Sequence, residues 1–261
     1  MSKETKNIII MTHGRSGSNL LCRLLSQYDC INANTETAGL DCFPQKINLS
    51  ITDINLRKKI QKYYPYKSFN EFVELMRILC DKKFMSFKIF SSQAKEVSWK
   101  FEDQKHSSFI ILERNMLDNY LSLLTVDGTK NWVGFDTTET KIKFCSHEFE
   151  RHCNDLNNNI QAIDKTIENS PHLKSKVIKV NYKEFMRETE QDKFMEKIFN
   201  FLKIKHTIKI KPKVNFANEK QNKNKNFNFV INKEEMLKFM KSNEVLKKIL
   251  NESVYSNLNR F

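Results

Sequence analysis

Glycine and proline are scarce in this chain of 261 residues, at five and four. That scarcity excludes collagen-like and Pro/Gly-rich low-complexity architectures. Long apolar runs are missing as well. The first one, Ile8 to Met11, is four residues long and follows two lysines and a glutamate. It has neither the h-region nor the small-residue cleavage site of a secretory signal, and nothing in the chain nears the ~20 apolar residues of a membrane span. A cytoplasmic protein with no transmembrane segment is expected. The six cysteines, Cys22, Cys30, Cys42, Cys80, Cys145 and Cys153, form no C-x-x-C pair. Cys145, His147, His152 and Cys153 cluster and invite a zinc reading. On one helix, however, they spread over more than one face, so reduced, half-buried thiols fit better and no metal is expected.

What the chain does contain is phenylalanine, 20 in all, within a hydrophobic fraction of 39%. That suffices for a substantial core and argues against disorder of the whole chain. Lys and Arg number 44 against 31 Asp and Glu, for a net charge of +13. Such a surplus favours anionic partners: a nucleotide, a phosphorylated or sulfated sugar, nucleic acid or an acidic membrane surface. The same bias toward Lys, Asn and Ile, with little Gly, also accompanies AT-rich coding. The charge therefore permits an anionic ligand without specifying one.

Hydrophobic patterning predicts strands at Asn7–Met11, Phe84–Phe90, Ser108–Glu113 and Val177–Val180; the unbroken run Phe109–Leu112 is of the kind buried on both faces of a parallel sheet. Helical periodicity marks Gly17–Tyr28, Phe69–Cys80, a helix opening at Met116–Leu124, His147–Ile167, Asp192–Leu202 and one last helix at Glu234–Leu250. The alternation predicts an α/β fold: a P-loop-like open parallel sheet of about 4–5 strands, with helices on both faces and extra helices covering the cleft. One domain, 1–261, is expected, with a basic Lys/Asn-rich loop at 203–232 and a C-terminal helix at 233–255.

The stretch Thr12 to Asn19, T-H-G-R-S-G-S-N, joins the first strand to the first helix. A strand end, a polar turn and a helix start aim free backbone N–H groups and the positive end of a helix dipole at one point. Gly14 and Gly17 allow a tight turn and close approach. Ser16, Ser18 and Asn19 add donors, and Arg15 adds a fork-shaped permanent cation suited to phosphate or sulfate oxygens. A Walker A loop requires Lys after its second Gly; here Ser18 follows Gly17, which disfavours a nucleoside triphosphate kinase.

T-H-G-R-S-G-S-N-L-L resembles the 5′-phosphosulfate loop of sulfotransferases that use 3′-phosphoadenosine 5′-phosphosulfate (PAPS). It is most similar to the R-S-G-S form of carbohydrate, Nod-factor and glycolipid sulfotransferases. The resemblance implies that Arg15 holds the 5′-phosphate and sulfuryl oxygens, with Ser16, Gly17, Ser18 and Asn19 completing the cradle. PAPS also carries a 3′-phosphate, for which the family uses an Arg at a strand end and a Ser eight positions later. Arg114 and Ser122 match that order and spacing in F-I-I-L-E-R-N-M-L-D-N-Y-L-S. The segment around Tyr182 and Phe201 resembles the late part of the family's fold and reads as core, with Lys203 where the family has Gly.

Sulfuryl transfer calls for a general base. The aryl and steroid enzymes place a His two residues past a strand-end Lys; here Lys88 is followed by Phe90 in that place. Carbohydrate and bacterial relatives use a Glu beyond the first helix, which implies Glu36 as the base, although Thr35 replaces the usual preceding Gly. Asp41 is the fallback. Lys88 either lines the site or belongs to a sheet edge. Lys220, with Gln221 and Asn222, is the counterpart of a family K-Q-[NST] element that reaches the nucleotide, or part of a solvated loop. The implied product is adenosine 3′,5′-bisphosphate, and the implied acceptor is a hydroxyl on a carbohydrate, glycolipid or small metabolite. Trp132, Phe135 and Tyr63, Tyr64 and Tyr66 suit either stacking on that acceptor or anchoring of loops. Two other classes compete: a kinase with an atypical P-loop, and a basic nucleic-acid-binding protein. The Lys-rich stretch lacks interleaved stacking aromatics before Phe216 and carries no recognition motif, so nucleic acid is not the expected partner.

Overall fold

The computed structural model describes residues 5–36, 54–62, 69–91, 106–129, 140–204 and 227–255. Packing divides the chain into two compact units, 1–113 with 163–213, and 114–162 with 214–261.

The first unit is built on a five-stranded parallel sheet, β1 (Lys6–Thr12), β2 (Ile31–Glu36), β3 (Phe84–Phe90), β4 (Ser107–Glu113) and β5 (Val177–Asn181). Its spatial order is β2-β3-β1-β4-β5, and every pairing is parallel. Ile8, Ile9 and Ile10 on the central strand have no exposed surface. Successive side chains point to opposite faces, so both faces must be covered, as the unbroken apolar runs require.

On one face Ile9, Phe87 and Phe109 pack with Leu56 and Ile60 of α2 (Ile54–Gln61) and with Phe72 and Met76 of α3 (Phe69–Leu79). On the other lies α1 (Ser18–Ser26), against β2 and β3. Helix α7 (Glu188–Leu202) buries Phe194, Ile198 and Phe199. The Phe199 ring meets Tyr28, just past α1, edge-on at 4.4 Å.

The second unit holds α4 (Met116–Thr129), the first seventeen residues of α5 (Ser146–Asn169), and two C-terminal helices, α8 (Lys233–Met240) and α9 (Glu244–Glu252). Between α5 and β5 the chain makes a one-turn helix, α6 (Pro171–Lys174). The unit's core is aromatic: Tyr120, Phe144 and Phe149 meet one another, and Phe239 meets Phe144 and Phe149, in tilted or edge-on contacts at centroid distances of 5.5–6.4 Å.

Three expectations change. The single helix expected at Glu234–Leu250 is two, because the Asn243 side chain accepts from Leu246 N and restarts the chain as α9. The stretch carrying Glu36, for which no strand was expected, is the edge strand β2. Helix α2 has no counterpart in the sequence reading.

Candidate functional site

In a parallel sheet every strand ends on the same edge, and the loops there are where open α/β sheets bind ligands. At that edge β1 gives way at Thr12 to the turn His13–Gly17, and α1 starts at Ser18. Thr12 Oγ1 donates to the Leu112 carbonyl on β4 at 3.1 Å and contacts Ser16 Oγ. The Ser16 hydroxyl is thereby drawn into the turn, 1% exposed. Two residues of this turn sit in the left-handed region: Arg15 at φ 62° and Gly17 at φ 92°. A non-glycine residue held there is strained, and such strain gathers at binding sites. Glycine is required at 17 for a second reason. A Cβ there would lie 2.3 Å from Cδ2 of Tyr182, whose ring covers this point of the loop.

Gly17 is the N-cap of α1 and has no side chain to satisfy the first turn. The N–H groups of that turn therefore project as donors, reinforced by the helix dipole. Lys88 from β3 reaches the same turn. Its Nζ donates to Asn19 Oδ1 at 2.9 Å, and the side chain is 6% exposed. Its charge also acts on Cys22, one turn further along α1. Burial pushes that thiol up to about 11 while Lys88 and Arg23 pull it down. A buried ammonium beside the positive end of a helix, with Arg15 in the same turn, concentrates positive potential at one place. Such a place favours an anion.

Glu36 closes β2, with its Cα paired to that of Lys88 in the register of β2 with β3. The strand end thus brings the backbone of the expected base next to the residue that supports the loop. Glu113 closes β4. Burial raises its carboxyl above the ordinary range, with Asp164 adding and Lys179 opposing. Sequence reading had not singled it out, nor given Tyr182 a place beside the loop. Lys88 is interior to the sheet rather than on its edge, since β3 pairs with both β1 and β2.

The second pair of expected residues belongs to the other unit. Arg114 follows β4 directly, and Ser122 lies on α4; both are partly buried. Asn115 caps that helix, its Oδ1 accepting from Leu117 N at 3.0 Å and Asp118 N at 3.2 Å. Lys220, Gln221, Asn222 and Asp41 fall outside the described residues, as do Tyr63, Tyr64, Tyr66, Trp132 and Phe135.

Of the cysteine–histidine cluster, His152 is engaged with Asn119 Oδ1 at 2.9 Å. Burial pushes the Cys153 thiol up to about 12. Among the described residues no group of three His, Cys, Asp or Glu side chains converges as a metal site would require, and no helix is long and apolar enough to cross a membrane.

No family model matches the chain, and no curated protein does. Solved structures to which it is similar include three sulfotransferases. One is from Alicyclobacillus acidocaldarius, with 12% identity and a TM-score of 0.44, covering 79% of this chain and 84% of that one. Another is the sulfotransferase domain of the olefin synthase from Synechococcus PCC 7002, with 14% identity and a TM-score of 0.42, covering 77% and 74%. A third is the mouse sulfotransferase SULT7A1 complexed with PAP, with 13% identity and a TM-score of 0.43, covering 95% and 89%. Likenesses of this size leave the chemistry to be argued from the residues themselves.

Proposed function

We propose that this protein is a PAPS-dependent sulfotransferase that transfers a sulfuryl group to a hydroxyl of a carbohydrate, glycolipid or small metabolite. The observation that carries the reading is the uncapped first turn of α1 with buried Lys88 fastened to it. That arrangement is an anion cradle without a Walker lysine, and Arg15 in its loop suits a phosphosulfate better than a magnesium triphosphate. The matched spacing of Arg114 and Ser122 supports a second phosphate on the same ligand.

When bound, the donor supplies an activated sulfuryl group on its 5′-phosphate. Glu36 receives the proton of the acceptor hydroxyl as the new oxygen–sulfur bond forms. Arg15, Lys88 and the N–H groups of α1 hold the negative charge left on the phosphate oxygen as the old bond breaks. Stabilisation of this kind, from groups fixed beforehand, supplies most of the acceleration in the analogous phosphoryl transfers. The chain needs no metal for these steps.

The deciding measurement is thermal stabilisation by adenosine 3′,5′-bisphosphate, compared with ATP plus magnesium and with AMP. The bisphosphate should raise the melting temperature most, since a ligand at a hundred times its Kd adds about 2.7 kcal/mol. A larger response to ATP with magnesium would make the protein a kinase. Salt-dependent binding of RNA or DNA with no response to the bisphosphate would make it a nucleic-acid binder. Glu36→Gln should lower turnover about 10²- to 10⁴-fold and leave bisphosphate binding unchanged. Retained turnover would transfer the role of base to another carboxylate, Asp41 or Glu113.

A further inference from the structure

The first turn of α4 is held from the far end of the chain. Asn115 Nδ2 donates to the Ile249 carbonyl at 2.8 Å. Asp118 receives two donors, Ser253 Oγ at 2.5 Å on Oδ1 and Val254 N at 3.0 Å on Oδ2. Ser253 Oγ in turn accepts from Tyr255 N at 3.1 Å. Asp118 is 1% exposed and Ser253 is fully buried. A further bond, between Asn119 and His152, ties the same turn to α5. Charge-assisted bonds sheltered from water are short and strong, and losing one donor leaves a buried carboxylate short of a partner.

The clamp lies where it bears on the two side chains that matter. Arg114 is the residue before the Asn115 cap. Ser122 is one turn beyond Asp118, on the same helix face, because positions four apart align. We propose that Asn115 and Asp118 are positioning residues: by fastening the first turn of α4 to residues 249–254, they fix where Arg114 and Ser122 are presented to the 3′-phosphate. This inference rests on the sulfotransferase reading. It makes the C-terminal segment a determinant of donor selectivity, although that segment contributes none of the expected phosphate ligands.

The test is the ratio of Kd for AMP to Kd for adenosine 3′,5′-bisphosphate, measured by calorimetry on the full chain. Ser253→Ala removes a donor to Asp118 without altering α4. It should lower the ratio about tenfold, a coupling of ordinary size, while AMP binding holds. Asn115→Ser keeps a capping oxygen, loses the bond to Ile249, and should lower the ratio in the same way; it decides the matter should Ser253→Ala not fold. If both variants melt earlier with the ratio unchanged, or weaken both ligands in parallel, the clamp is structural only and the inference falls. If the wild-type chain itself shows no preference for the bisphosphate, the sulfotransferase reading falls, and the inference with it.

Discussion

The β1–α1 loop and the β4–α4 turn both pass from a strand end into a helix, yet they leave the first turn of that helix differently capped. Helix α1 opens on Gly17, which offers no side-chain oxygen, so its first turn keeps N–H groups for a ligand. Helix α4 opens on Asn115, whose oxygen accepts from two N–H groups of that turn. A ligand at α1 can be held by the backbone and the dipole. Under the proposed function a ligand at α4 is held by side chains, Arg114 and Ser122. The difference follows from chemistry. In the proposed sulfotransferase, a phosphosulfate that reacts would benefit from rigid donors that need no reorganisation, whereas a phosphate that only identifies the nucleotide would need charge and reach.

The comparison breaks most sharply at Gly17. Gly17→Ala adds a Cβ that overlaps the Tyr182 ring at a left-handed position, which should cost about 2–5 kcal/mol and abolish nucleotide binding. Tyr182→Ala in the same chain should restore much of the melting temperature. Next, Arg15→Ala should weaken AMP and adenosine 3′,5′-bisphosphate alike, by roughly 10- to 100-fold. Arg114→Ala should weaken only the bisphosphate by a similar factor. Equal effects of both changes on AMP would erase the proposed division of labour.

The smallest effect concerns pH. Burial lowers the His152 pKa in the folded state, with Asp155 opposing. The neutral imidazole is therefore favoured by folding, and its contribution is full above the unfolded value of about 6.5 and lost as pH falls through the lower folded value. Melting curves from pH 8 to pH 5 should decline in the acid range. The decline should be shallower in His152→Gln, and an identical decline would show that His152 carries no linkage.

The sheet was largely legible because β1 and β4 carry the runs I-I-I and F-I-I-L, which admit few other readings, while β3 and β5 keep apolar residues on either side of a lysine. Edge strand β2 was not. I-N-A-N-T-E has one strong β-former, and it is a strand because β3 offers it a ladder. Glu36 was thus recognised by its distance from the first helix, while its pairing with Lys88 came only from the register. The break between α8 and α9 was missed because the apolar stripe runs through it; the cue was Asn243, an N-cap residue. Tyr182 read as core because periodicity reports burial and not which residue lies beneath the ring. Lys88 was ambiguous for a related reason: a lysine in an apolar run reads as an edge residue until strand order makes β3 internal.

Central β1 is made well before its neighbours, with Lys6 beside Phe84 and Asn7 beside Ser107. On the ribosome this strand must wait, unpaired, until both partners have emerged, and long-range parallel pairing of this kind is slow. During that interval its four apolar residues are a target for holding chaperones and for neighbouring nascent chains. Destabilising changes in β3 or β4 should therefore first appear as lost yield rather than lost activity.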